Sequence, residues 1–258
     1  MTQKSIGFIG GGRITRIFLE AWKRQGGLPG NIVVTDNNPE ALTKLKAANP
    51  SVETTTHLPT AITQDVVFLS VHPPVMAEVL GNIKASLKPE TLLVSLAPKF
   101  TLAKLDSLLG GHAPLARVIP NAPSLIGVGF NPVAYAPTLT APGKTELTTL
   151  LAPLGESPEV AEEKLEAYAV ISAMGPTYLW FQLQNLRELA ASFGLSEAEI
   201  APALKRMVCG STRILLESGL TPAEVMDLIP VKPLAEMEKT VTEMYQTRLP
   251  AIYQKIKP

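Results

Sequence analysis

The stretch Ser5-Ile6-Gly7-Phe8-Ile9-Gly10-Gly11-Gly12-Arg13-Ile14-Thr15 decides how the rest of the chain is read. Ser5 to Ile9 is short and apolar, Gly10 to Gly12 permit a tight turn, and Ile14, Ile17, Phe18, Ala21 and Trp22 then recur at helical spacing. The pattern predicts strand, glycine turn, helix. Such a turn aims free backbone N–H groups and the positive end of a helix at whatever lies above the strand, which suits a diphosphate. Gly10 allows the turn, and Gly12 removes a side chain that would block phosphates. The dinucleotide fingerprint G-x-G-x-x-G/A carries Thr15 at its third position, which predicts less close packing of helix on strand. The alternative is a similar domain that no longer binds nucleotide.

Length and composition set the frame around this turn. With 258 residues, 46% hydrophobic and 18% charged, the chain is long enough for two domains with proper cores. The 23 basic and 23 acidic residues balance, so neither nucleic acid nor an anionic membrane is the expected partner, and a small molecule is. Cys209 is the one cysteine, which excludes an intrachain disulfide, and three scattered histidines predict no metal site. No leader or membrane-length apolar run is visible, so a cytoplasmic protein is expected. Cys209 lies among Met207, Val208 and Ser211 and reads as a packed, unreactive thiol.

Beyond the first helix, Asn31 to Thr35 reads as a second strand closing on Asp36. An acid there can accept from ribose hydroxyls and repels a 2′-phosphate, so NAD is favoured over NADP, with Lys44 the residue able to reverse that preference; Asp36 could equally be a turn or cap residue. Pro39 to Ala48 reads as a helix and Val52 to Thr54 as a weak strand. Val66 to Val71 and Leu92 to Ala97 read as buried parallel strands. Ligands in open α/β sheets lie beyond the carboxyl ends of strands, so Ser70, Val71, His72, Pro73 and Ala97 face the expected cofactor. Leu115 to Ile119 leads into Pro120-Asn121-Ala122-Pro123, a rigid loop able to hold the Asn121 amide towards a substrate. Gly127 to Tyr135 reads as a further strand and Leu147 to Leu154 as a last short helix.

From Glu162 onward the chain reads as helical almost throughout. Leu179, Leu183, Leu186, Leu189, Ala190 and Phe193 share a face with Gly194 as stop, Ser196 to Glu199 and Thr221 to Glu224 are capping boxes, and Leu234 to Tyr245 mark a final helix. Broad apolar stripes on so few helices predict a homodimer through this half, against the alternative of a helical subdomain packed on the sheet. Tyr178 and Trp180 read either as cleft-facing or as core.

The segments GFIGGGRIT, SVHPPVM, SLAPKFTL and RVIPNAPSLIGVG are similar, in sequence and spacing, to GFIGxGNMG, AVKPxxM, SIAAGVTL and RxMPNTPxxVxxG of the pyrroline-5-carboxylate reductase family. Ile171 to Tyr178 resembles that family's VSGSSPAY, and Gly210 to Glu217 its GSAKMVLE. The resemblance implies an α/β fold: a Rossmann-type, doubly wound, mainly parallel sheet over residues 1–155, followed by an all-helical dimerisation domain over 156–258. It implies hydride transfer from a nicotinamide cofactor to a cyclic imine. It also assigns Gly10, Gly11, Gly12, Arg13, Ile14, Ser70, Val71, His72, Pro73 and Ala97 to the cofactor, and Asn121 to the border of the reacting centre. Asn121 and Ser172 are then the candidates for orienting the substrate. The family's SPGGTT loop is replaced by Pro230 to Ala235, which leaves room for reduction of a different small imine or carbonyl compound, or for a non-catalytic NAD-binding dimer.

Overall fold

A computed structural model describes residues 4–111 and 114–258. The chain forms two compact units, Met1–Met174 with Ile252–Pro258, and Gly175–Ala251. In the first, β1 (Ile6–Ile9), α1 (Arg13–Arg24), β2 (Ile32–Thr35), α2 (Pro39–Ala48), β3 (Glu53–Thr55), α3 (Leu58–Ile62), β4 (Val66–Leu69), α4 (Pro73–Ile83), β5 (Leu92–Ser95), α5 (Leu102–Leu109) and β6 (Leu115–Val118) alternate. After them come β7 (Gly129–Phe130), β8 (Val133–Tyr135), α6 (Ala141–Leu151), β9 (Gly155–Glu156) and α7 (Leu165–Tyr168). The main sheet runs β3-β2-β1-β4-β5-β6-β8, parallel except for the β6–β8 pair. This is the expected doubly wound sheet, and strand order reverses beside β1.

The apolar strands explain the layers. Phe8, Phe68 and Val94 point to one face and Ile9, Leu69 and Leu93 to the other, and both faces are covered. The first core holds an aromatic cluster in which Phe8 stacks on Phe68 at 4.9 Å and Phe18 meets Trp22 edge-on at 5.7 Å. Trp22 keeps its indole N–H satisfied at the Leu150 carbonyl, 2.8 Å away.

Three readings of the sequence meet corrections. The expected strand over 127–135 is broken at Asn131-Pro132: β7 pairs with β9, while β8 pairs with β6. Proline has no N–H for a ladder, and the Asn131 side chain is buried, accepting from Ser124 Oγ at 2.7 Å. The helix expected from Leu147 starts at Ala141, where Thr140 is its N-cap, and its last residues tighten into a 3-10 turn, Ala152–Leu154. The expected division at 155 falls instead at Met174. Residues after 155 still belong to the sheet unit because β9 pairs with β7, Val133 bridges to Glu159, and Leu165, Ala169 and Ile256 join the second core. Two helices that the sequence reading passed over, α3 and α4, carry proline in their first turn, Pro59 and Pro73, where the N–H groups are unpaired anyway.

The second unit contains α8 (Pro176–Ser192), α9 (Glu197–Glu217), α10 (Pro222–Asp227) and most of α11 (Ala235–Ile256). The expected caps form: Glu199 accepts from the Ser196 N–H at 2.9 Å, and Glu224 from the Thr221 N–H at 2.7 Å. Gly194 and Gly219 follow α8 and α9 with φ of 93° and 78°. Among the described residues of this unit only Ile200 is buried. Cys209 is exposed rather than packed, and Trp180 is 54% exposed, so neither belongs to a core within this chain. No helix of the described residues is long and apolar enough to cross a membrane, and among them no cluster of side chains could hold a metal ion.

Candidate active site

A cleft of about 600 Å³ opens beyond the carboxyl ends of β1, β4 and β5. It is walled by Gly11, Gly12, Arg13 and Ile14 of the glycine turn, by Ser70, Val71, His72 and Pro73 after β4, and by Leu96, Ala97 and Pro98 after β5. The sequence expectations for these three segments therefore converge on one site. Gly10 lies beneath it: φ is 108°, and a Cβ there would stand 2.8 Å from the Ser70 carbonyl oxygen. At Gly12, by contrast, a Cβ would meet nothing within 4 Å, so the missing side chain keeps the cleft open above the helix.

Thr15 reverses the expected looseness. It is fully buried, and its hydroxyl donates to the Gly10 carbonyl at 2.6 Å and lies 2.9 Å from Ser70 Oγ. Ser70 Oγ in turn reaches the Gly10 and Ile9 carbonyls at 2.8 and 3.0 Å. Two hydroxyls thus bind α1, the glycine turn and the end of β4 together. That fixes the turn, and it occupies the Ser70 hydroxyl with scaffold.

The site fits a dinucleotide on its own geometry. Gly12 and His72, the N-caps of α1 and α4, supply no side-chain hydrogen bond to their helices, whereas Asn38 caps α2 and Thr101 caps α5. First-turn N–H groups without a side-chain cap at the edge of a cleft are an anion site. Sequence reasoning missed Arg16, Asn38, Glu40 and Ala41, which also line the cleft together with Lys44. Arg16 follows Gly12 by four residues, the helical spacing that returns a side chain to the same face. Asp36 stands outside the lining: Oδ2 accepts from the Gly11 N–H at 2.7 Å and Oδ1 from the Asn38 N–H at 2.8 Å. Its carboxylate braces the turn from below.

Asn121 and Ser172 are brought together but do not line this cleft. Asn121 Nδ2 donates to the Ser172 carbonyl at 3.3 Å, while Oδ1 accepts from the Phe130 N–H at 3.1 Å. Ser172 belongs to a π-helical turn, Ala169–Ala173, and its hydroxyl donates to the Tyr168 carbonyl at 2.8 Å. The amide thus fastens the proline-flanked loop to the π turn. A buried ion cluster supports the same side of the sheet. Arg117 of β6, fully buried, meets Glu162 at 2.9 Å and Glu166 at 2.5 Å. Glu162 also accepts from the Leu102 N–H at 2.6 Å and Glu166 from the Lys99 N–H at 3.3 Å, so the cluster holds the loop after β5.

Comparison with known proteins agrees with this geometry. Residues 5–99 match the family described as NADP oxidoreductase, coenzyme F420-dependent. Over 234 residues the chain is 28% identical to pyrroline-5-carboxylate reductase of Escherichia coli, covering 88% of this chain and 85% of that one. It is 29% identical over 224 residues to the Corynebacterium melassecola enzyme of the same name, covering 86% and 83%. In fold it is similar to the Plasmodium falciparum pyrroline carboxylate reductase, solved with NADP bound, at a TM-score of 0.82 and 20% identity over 100% and 98% of the two chains. The similarity runs through both units, so that in sequence and in architecture the chain is similar to named pyrroline-5-carboxylate reductases along most of its length.

Proposed function

We propose that the chain is an NAD(P)H-dependent reductase that transfers hydride to the C=N carbon of a small cyclic imine, 1-pyrroline-5-carboxylate or a close relative. The observation that carries the reading is the cleft itself, in which the glycine turn and the ends of β4 and β5 meet in a chain similar along most of its length to named reductases of that imine. Bound there, a nicotinamide cofactor supplies the hydride. The N-termini of α1 and α4 would hold its diphosphate, Gly12 would give it access, and Val71, Leu96 and Ala97 would offer it an apolar wall that excludes water. A cyclic imine near neutral pH is already partly protonated, so the chain needs to orient the imine more than to protonate it. Asn121 and Ser172 act in this by fixing the loop and the π turn.

The cofactor in this reading is NADPH rather than the NADH favoured by Asp36 alone. Both Asp36 oxygens already accept backbone hydrogen bonds, while Arg13, Arg16 and Lys44 line the cleft against one acid, Glu40. Cations there attract a 2′-phosphate. The solved Plasmodium falciparum relative with NADP bound supports the same choice. A second copy of the chain covers the helical unit, whose apolar faces are otherwise exposed.

The test is oxidation of NADPH and NADH with 1-pyrroline-5-carboxylate, 1-pyrroline and 1-piperideine. Turnover with NADPH preferred is expected, and Lys44→Ala should lower that preference about tenfold. No turnover with any of the three imines overturns the reading.

A further inference from the structure

We infer that Lys99, with Lys104 of α5, forms an anion pocket for the carboxylate of a small substrate beside the cofactor cleft; this rests on the reductase reading above. A second cavity of about 820 Å³ shares Pro73 and Pro98 with that cleft, so a molecule in it would lie next to a cofactor held in the first. Its charged side chains are Lys99, Lys104 and Lys257, with no acidic side chain, so three ammonium groups face the one carboxylate of the terminal Pro258. Lys257 lies over the Tyr253 ring at 4.7 Å, whereas neither Lys99 nor Lys104 has an ion-pair partner among the described residues. A cavity with this balance favours an anion.

The backbone at Lys99 gives the second line of argument. Its φ is 78°, and it is the one non-glycine residue with positive φ among those described. A lysine in this conformation persists only where its surroundings over-determine it, and such residues cluster at ligand sites. Here the surroundings are identifiable. The Lys99 N–H donates to Glu166, itself anchored on buried Arg117, and Phe100 packs against the second core. A glycine would adopt this conformation at no steric cost. Lysine in its place brings an ammonium to the cavity wall.

The chemistry selects the ligand. Two first-turn N–H groups of α5 are already satisfied, Leu102 by Glu162 at 2.6 Å and Lys104 by Thr101 Oγ1 at 3.1 Å. The anion therefore meets ammonium groups, which act as point charges without the bidentate fork of arginine. A compact monoanion such as a carboxylate fits that description, and the dinucleotide phosphates have their own site at α1.

The test is Lys99→Gly, which installs the residue that the backbone prefers. An unchanged or higher Tm and NADPH affinity within about twofold of wild type are expected. KM for 1-pyrroline-5-carboxylate should rise about tenfold with kcat little changed, while KM for 1-pyrroline, which lacks the carboxylate, stays put. Lys104→Gln should act in the same direction. Equal effects on the two imines, an unchanged KM for the carboxylated one, or weakened NADPH binding would overturn the inference while leaving the reductase reading intact. If wild type reduces neither imine, that reading fails separately, and L-proline is titrated into wild type and Lys99→Gly in the presence of NADP+. Lys99-dependent binding supports the pocket, and Lys99-independent or absent binding overturns it.

Discussion

The sheet unit and the helical unit are both rich in apolar side chains and treat them in opposite ways. Phe8, Phe18, Phe68 and Leu80 are fully buried, whereas Leu186, Leu189 and Phe181 are 41%, 44% and 69% exposed. The difference follows from connectivity. Each parallel crossover lays a helix over a face of the sheet, so the first unit supplies its own cover. Four helices joined by short turns leave their stripes open. An amphipathic pattern establishes a face, and only a partner surface makes that face stabilising.

The largest effect expected from this contrast is at Phe8. Phe8→Ala removes a ring packed against three other aromatic side chains and should cost about 3–5 kcal/mol in denaturant unfolding. A loss under about 1 kcal/mol would break the picture of a close-packed sheet core. Arg117→Met should cost about 3 kcal/mol because two carboxylates are left facing an apolar group, and adding Glu166→Gln should recover part of it. Additive losses in the double variant would show that the pair is not coupled.

Paired Leu186→Glu and Leu189→Glu substitutions should shift monomer stability by less than about 1 kcal/mol, because both side chains are already exposed. Sedimentation should nevertheless show a smaller particle than wild type. An unchanged mass, or a large stability loss in a monomer, would mean that this stripe is covered in some other way.

The smallest effect sharpens the sheet side. Hydrogen bonds from the Ser5 N–H at 2.9 Å and the Ser5 hydroxyl at 3.0 Å hold the Asp65 carboxyl below its usual range, with Lys4 and Lys88 adding to the effect. A depressed folded pKa adds stability above the unfolded value of about 3.9, and that stability is lost as pH falls through the folded pKa. Asp65→Asn should therefore be less stable than wild type at pH 7, and the gap should narrow below about pH 4. A gap independent of pH would assign the loss to packing.

Much of the site was legible because its chemistry is local. Glycines between an apolar strand and an amphipathic helix, and apolar runs ending at Ser70 and Ala97, locate a cleft without any long-range information. What escaped depends on contacts between segments distant in sequence. Thr15 read as a packing defect until Ser70, distant in the sequence, shared its hydroxyl network. Asp36 reads from the sequence as a ribose acceptor, and only the fold shows that its two oxygens also accept from the Gly11 and Asn38 N–H groups. The 127–135 segment has strand composition, and burial of Asn131 overrode it.

By itself the sequence determined the first parallel strands, the glycine turn, the caps at Ser196 and Thr221, and the apolar stripes of α8 and α9, since all of these follow from periodicity and from bonds spanning a few residues. Tertiary structure alone decided where the first unit ends, which hydroxyls and carboxylates are occupied by scaffold, and that Lys99 is held with positive φ at the rim of a lysine-lined cavity. Those outcomes depend on hydrogen bonds and packing between residues far apart in the chain, and no local pattern encodes a partner that folding has yet to bring within reach.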